Sequence, residues 1–371
     1  MDKLKSPSDK VLYQAIMEMK EPVVFQHMLQ NEKGEYCWKL LEWNLSELAE
    51  KFGDIKLPFR LGYNARSMTP QWEINCSIIS ITLSYFIQNM NLHEDHGQWF
   101  DIDKTGDDST LWIGSKGAHT NCHQDSYGCN LVAQIHGRKQ WLLFPPSSSN
   151  FLQPTRIPYE ESTIYSKYNF FCPTKEDEIN ILKIQDTARL VTLEPGDVLF
   201  VPPGWWHYVE SLELTVSVNI WLPIITDNIS RMKEAIVKLI VTRIGKDVNN
   251  VPNDTDCIDL LNIAIGECKT MTNVESPSGK IKRNIWTAKD LVTEYPIYVK
   301  LLHELSHTEL KEFLRMKRER FPEVYIESVK EDSKPHIDIQ NTYASQDLTE
   351  KVVNALCHPD IVNKVSELLL S

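Results

Sequence analysis

No Cys-x-x-Cys occurs anywhere in the chain, although it holds 8 cysteines: Cys37, Cys76, Cys122, Cys129, Cys172, Cys257, Cys268 and Cys357. That absence removes the zinc ribbon and the thioredoxin-type redox pair, and so sparse a set suggests no disulfide framework. The thiols are expected to be reduced, in an intracellular setting. Basic charge is also short. Lys and Arg number 39 against 51 Asp and Glu, a formal net charge of -12, and the densest basic run is Lys317-Arg318-Glu319-Arg320. A surface of that sign repels a phosphate backbone, which excludes nucleic acid as the main partner. An uncharged apolar run of about 18 residues, the span of a membrane helix, is missing, and Met1 to Pro7 has no apolar signal region. The expectation is a soluble protein with no membrane partner, cytoplasmic or nuclear. What the chain does have is size: 371 residues, 42% hydrophobic, enough for one large or two ordinary cores.

The texture changes along the chain. Residues 1–110 mix patterns. Leu45, Leu48, Ala49 and Phe52 show helical spacing with Gly53-Asp54 as a stop, while Pro22 to Phe25 and Leu57 to Gly62 read as short strands. The polar stretch from Asn91 to Thr110, with Gly97 and Gly106, predicts a loop. From 111 to 223 short apolar runs are punctuated by Gly and Pro, the pattern of an antiparallel sandwich or barrel. Leu131 to Ile135, Gln140 to Phe144, Val198 to Val201 and Leu214 to Trp221 are its clearest strands. Tyr159 to Phe171 reads as a long loop over the barrel mouth. Residues 224–330 return to helical spacing, with Met232, Ala235, Ile236, Leu239 and Ile240 in one stripe. Residues 331–345 read as a linker and 346–371 as amphipathic helices broken near Pro359, with Val352, Leu356, Val365 and Leu369 as their stripe. Such stripes bury against their own chain or a second copy, so a homodimer through these helices is one expectation.

His-x-Asp occurs four times, at His93, His123, His336 and His358. Residues i and i+2 of a strand project to the same face, so this pair can aim an imidazole and a carboxylate into a barrel together. Of the four, His123-Gln124-Asp125 borders the β region. His93 falls in the polar loop, His336 in the linker, and His358 precedes a proline in a helical segment, where solvated surface roles are expected. A third donor from a distant strand is His207, just after Pro202-Pro203-Gly204-Trp205-Trp206. Two His and one carboxylate leave open positions on one side of a metal, which suits Fe(II) with an organic cosubstrate and O2. Two nearby strands add to this. Thr215, Ser217, Asn219 and Trp221 form a polar row opposite Leu214, Val216, Val218 and Ile220, as a wet pocket requires. Lys139 shares a strand face with Trp141 and Leu143. An inward lysine there needs a buried anion, such as a carboxylate ligand.

The motifs Trp112-Ile113-Gly114, Thr120-x-x-His123-x-Asp125, Asn130-x-x-Ala133-Gln134-Ile135-x-Gly137-x-Lys139, Leu143-Phe144-Pro145-Pro146, Pro195-Gly196-Asp197, Trp205-Trp206-His207 and Val218-Asn219-Ile220-Trp221 stand in an order that resembles the JmjC-type cupins. This family comprises Fe(II)- and 2-oxoglutarate-dependent oxygenases. The resemblance implies a double-stranded β-helix, the jelly roll of the cupins, at 111–223, with outer strands from 1–110 and a helical C-terminal region. It implies iron at His123, Asp125 and His207, the distal 2-oxoglutarate carboxylate at Lys139 and Thr120, and Asn130 and Asn219 lining the pocket. By the same resemblance the reaction is hydroxylation of a side chain in a protein or peptide substrate. Ser109 to Ser115, Asp125 to Val132 and Pro154 to Ser162 resemble a branch of the family that associates with small heat-shock proteins. The alternative this carries is a non-catalytic scaffold that binds such a protein in the stress response. One departure stands out. About 20 residues join Met90 to Leu111, shorter than the family pattern, which predicts a missing or rebuilt barrel strand upstream of Leu111.

A competing metal motif is His303-Glu304-Leu305-Ser306-His307, which matches the His-Glu-x-x-His of zinc protease helices. The next turn begins with Thr308-Glu309 in place of an apolar continuation, so the expectation is an amphipathic helix with its histidines at the polar margin.

Overall fold

The computed structural model describes residues 6–31, 33–62, 66–89, 98–102, 109–184, 187–224, 226–245, 256–272, 286–332 and 342–371. Two antiparallel sheets stack face to face. The first runs, in spatial order, β15 (Val299–Leu301), β1 (Val23–Phe25), β12 (Val198–Val201), β7 (Cys129–His136), β14 (Thr215–Leu222), β5 (Ser109–Gly114), β4 (Gln98–Ile102), β2 (Lys56–Leu61) and β3 (Ser77–Thr82). The second runs β16 (His303–Glu304), β11 (Arg189–Leu193), β8 (Lys139–Phe144), β13 (Trp206–Ser211), β6 (His119–Asp125), β10 (Thr163–Ser166) and β9 (Pro154–Glu160). Neighbours in space are mostly distant in sequence, the crossing pattern of a jelly roll.

Each sheet has a lumen face and an outer face, and both are covered. On β13 every residue is buried, because alternate side chains enter different cores. Trp206 and Tyr208 join Phe170, Leu310, Phe313 and Leu314 on the outside, while Val209 joins Trp141, Val132 and Leu143 on the inside. The outer cover is the helix His307–Arg320, tied down by Glu210, whose carboxylate takes Lys317 Nζ and Arg320 Nη1 at 2.5 Å each. The first sheet's outer face is covered by Leu48 and Ala49 of the helix Leu45–Phe52, and by Leu83 and Phe86. That helix starts and stops where its sequence directs. Asn44 and Glu47 form a capping box, and Gly53 follows at φ +56°.

Several expectations change. The segment from Asn91 to Thr110 is neither all loop nor short of a strand: β4 lies in it and pairs with both β2 and β5, in the registers Phe59↔Phe100 and Phe100↔Ile113. Trp99, Phe100 and Ile102 favour a strand, and the flanking glycines and acidic residues obscured them. The Tyr159 to Phe171 stretch is largely a hairpin, β9 to β10, and not a loop. Region 224–330 contains β15 and β16 besides its helices, and a helix occupies Thr342–Leu356, so the 331–345 linker ends early. Residues 299–304 supply one strand to each sheet, with Leu302 buried between them.

His303 stands on β16 and His307 opens the next helix, with Ser306 as its N-cap, so the two rings do not share a helical face. Each is engaged elsewhere: His303 Nε2 lies 2.9 Å from Glu309 Oε1 and His307 Nε2 lies 3.2 Å from the Leu182 carbonyl. The zinc-helix geometry is absent. The C-terminal stripes pack within the chain. Ile236, Ile240, Val365 and Leu369 meet Ile157 and Tyr159 of β9 in one core. Val353, fully buried in that core, takes the place expected of Val352, which is 39% exposed. This packing still leaves Ile263, Leu348 and Leu368 of the same helices exposed. Among the described residues no helix is long and apolar enough to cross a membrane.

Candidate metal centre

Local strand geometry assembles the site. His123 pairs with His207 across β6 and β13, but Thr120 pairs with Val209, so three residue steps on β6 face two on β13. This bulge turns Thr120 inward beside His123, which strict alternation forbids. The imidazole rings of His123 and His207 stand 4.1 Å apart between centroids. His123 Nδ1 donates to the Asn121 carbonyl at 2.8 Å and His207 Nδ1 to the Trp205 carbonyl at 3.0 Å. A carbonyl can only accept, so each Nδ1 carries a proton, which leaves Nε2 of each ring as the candidate metal donor. The Asp125 carboxylate approaches from the end of β6, its Oδ1 4.0 Å from His123 Nε2. One donor atom from each of the three residues falls within 4.8 Å of the others, and no other such group appears among the described residues. Burial, aided by the adjacent His123 ring, pushes the His207 imidazole down to about 4, so at neutral pH it presents a neutral nitrogen. Two imidazole nitrogens and one carboxylate oxygen, all pre-oriented, fit a divalent transition metal.

The trio opens into a cavity of about 580 Å³. Lys139 lies on its wall, with Nζ 2.7 Å from Ser217 Oγ on the opposite sheet and no carboxylate partner among the described residues. Burial therefore pulls its ammonium down to about 7. Asn219 accepts from Trp112 Nε1 at 2.8 Å and donates to Asn130 Oδ1 at 3.3 Å, so the two amides and the indole form one network along the wall. Trp141, nearly parallel to the His207 ring at 5.6 Å, fills the space between Lys139 and the histidines. Thr120 also lines the cavity, but its single O–H is directed at Glu73 Oε1, 3.3 Å away.

All seven residues singled out from the sequence thus reach one cavity: His123, Asp125, His207, Lys139, Thr120, Asn130 and Asn219. Of the other His-x-Asp pairs, His93 and His336 lie outside the described residues, and His358 is an exposed N-cap. The sequence did not reveal Glu73, which enters beside Thr120 from before β3 and pairs with Arg60 at 2.7 Å. Nor did it reveal Tyr165, which faces His123 from β10 and donates to Glu160. A strand reading of Thr163 to Ser166 would have put Thr163 and Tyr165 on one face and exposed that signal.

Residues 84–227 match the family model described as a cupin-like domain. Among curated proteins, HSPB1-associated protein 1 of Homo sapiens is 39% identical over 264 residues, covering 61% of this chain and 52% of its own length. The HSPB1-associated protein 1 homolog of Danio rerio is 36% identical over 267 residues, 61% and 57% respectively. Lysine-specific demethylase JMJ31 of Arabidopsis thaliana is 34% identical over 147 residues, covering 39% of this chain and 26% of its own. The chain spans about half the length of the HSPB1-associated relatives it matches. Sequence and fold agree on the centre of the chain: residues 84–227 match a cupin-like domain.

Proposed function

We propose that the chain is an Fe(II)- and 2-oxoglutarate-dependent oxygenase that hydroxylates a side chain of a protein substrate. The observation that carries this is Lys139, a buried amine that has no carboxylate partner among the described residues and lines the same cavity as three convergent metal donors. Iron held by His123, Asp125 and His207 would supply the oxidising chemistry, with 2-oxoglutarate and O2 as co-reactants. The chain's own residues have the remaining tasks. Lys139 Nζ neutralises the distal carboxylate, and Ser217 Oγ fixes the amine's direction. Asn130 and Asn219, braced by Trp112, hold the cosubstrate's orientation. Trp141, Val132 and Val209 keep water out between the anion end and the metal end. Thr120 serves the carboxylate only by turning its hydroxyl from Glu73. Titrating the anaerobic protein with Fe(II) and 2-oxoglutarate tests the assignment: a weak visible charge-transfer band is expected, and its absence at saturating concentrations rejects it.

Cosubstrate affinity should also depend on pH through Lys139. The anion binds the ammonium form, and in the empty cavity that form is lost as pH rises through about 7. Below this value the dissociation constant is flat. Above it, each binding event must take up a proton, and the constant climbs towards about tenfold per pH unit until the complex's own, higher pKa is passed. Calorimetry in buffers of different ionisation enthalpy reads the uptake directly, and zero uptake at pH 8 would show that Lys139 is not the anion's partner.

The names of the HSPB1-associated relatives favour a second reading, a scaffold that binds a small heat-shock protein. The two readings separate experimentally. His207→Ala is expected to eliminate 2-oxoglutarate decarboxylation yet leave HSPB1 capture in a pull-down intact. If capture disappears with the metal, the partner reads the cavity mouth and is a substrate.

A further inference from the structure

We propose that Trp221 is a positioning residue for Asp125, holding one carboxylate oxygen so that the other alone is offered to the metal; the inference rests on the metal site proposed above. Asp125 ends β6 with its side chain 14% exposed, and the torsion that rotates its carboxylate is intrinsically soft. Its backbone carbonyl is held by Gly204 N at 3.2 Å. The two oxygens of its carboxylate have different neighbours. Oδ1 lies nearest His123 Nε2, whereas Oδ2 accepts the Trp221 indole N–H at 3.3 Å. Asp125 belongs to the second sheet and Trp221, on β14, to the first, so this bond crosses the mouth of the sandwich.

The aim of the indole comes from its backbone. Trp221 pairs with Asn130 and Leu222 with Cys129, just after the turn that follows Asp125. At Gly128 in that turn, φ is +72°, and an added Cβ would sit 3.4 Å from the Leu222 carbonyl and 3.9 Å from Trp221 Cβ. Glycine therefore allows the turn to come down onto the strand that carries the indole. Trp221 itself remains 39% exposed, so it contributes little as core. An indole nitrogen donates and cannot accept, so it occupies Oδ2 without competing for the metal. It leaves the carboxylate charge intact and restricts its rotation. Metal-binding carboxylates with such a partner lose about 10- to 100-fold in metal affinity when the partner is removed.

The test is Mn(II) binding, followed by the electron paramagnetic resonance of the free ion, in the full chain and two variants. Trp221→Phe keeps a ring and removes the donor, and its dissociation constant should rise about tenfold or more. Trp221→Gln removes the ring and keeps an N–H, and should retain most of the affinity. Metal-free melting temperatures establish that both variants are folded, and Trp221→Leu replaces the phenylalanine variant if that one does not fold. An unchanged constant in Trp221→Phe overturns the inference, as does equal loss in both folded variants, which would indicate ring packing. If the parent chain binds no Mn(II), it is the metal site itself that fails.

Discussion

Replacing His123, Asp125 or His207 with alanine is expected to weaken Fe(II) binding by more than 100-fold and to abolish 2-oxoglutarate turnover, while His303→Ala, His307→Ala and His358→Ala leave both unchanged. The magnitude follows from what each change removes. Loss of a hydrogen-bond support to a ligand typically costs about 10- to 100-fold, and loss of the ligand itself must exceed that. The controls are chosen from the structure. His303 and His307 sit on separate elements, each beside a protein acceptor, and His358 caps a helix. Equilibrium dialysis under anaerobic conditions, with circular dichroism to verify the fold, decides the matter. Comparable losses in the controls would mean that the metal is held elsewhere.

Lys139→Met should raise the dissociation constant of 2-oxoglutarate about 30-fold or more while iron binding stays near the parent value. Removing one partner of a buried charge pair costs about 2 kcal/mol or more, which is that factor. The same substitution should stabilise the protein when the cosubstrate is absent. Lys139 has a folded-state pKa of about 7, below the 10.5 of a free lysine. The unfolded chain thus binds more protons between those values, and wild-type stability rises with pH across that window. The penalty is full below about 7 and disappears above 10.5, so the methionine variant's gain in melting temperature should be largest at the lower pH. A lysine pointing into solvent would give neither effect, and matched calorimetry at two pH values tells them apart.

The site proved more legible than its surroundings, for a physical reason. Asp125, His123, Lys139 and Asn219 lie on strands whose alternation carries directly to one cavity, so reading every second residue sufficed. Thr120 could be placed only by resemblance, because the bulge on β6 breaks that alternation and nothing in Thr120 to Asp125 announces it. β4 was hidden because five residues between glycine-bearing polar flanks give too short a pattern. Glu73 reaches the cavity through the long-range packing of a segment outside the core, and no local period encodes that. The His-Glu-x-x-His match shows the opposite failure. A helical spacing is present in the letters, but Ser306 caps a helix in its middle and separates the two rings.

The segment 299–304, with one strand on each sheet, also sets a timetable. By the end of β14 at Leu222 every proposed ligand of iron and cosubstrate has been synthesised, yet β1 and β11 still lack the neighbours they find in β15 and β16. About 80 more residues must emerge first, which at about 5–20 residues per second takes roughly 4–16 s. During that interval a nascent chain has its binding residues but two unpaired strand edges, the kind of surface on which chains join edge to edge. The vulnerable moment in this protein's life is therefore late in translation, and a stop anywhere between Leu222 and Val299 would leave a product with all seven site residues and both edges open.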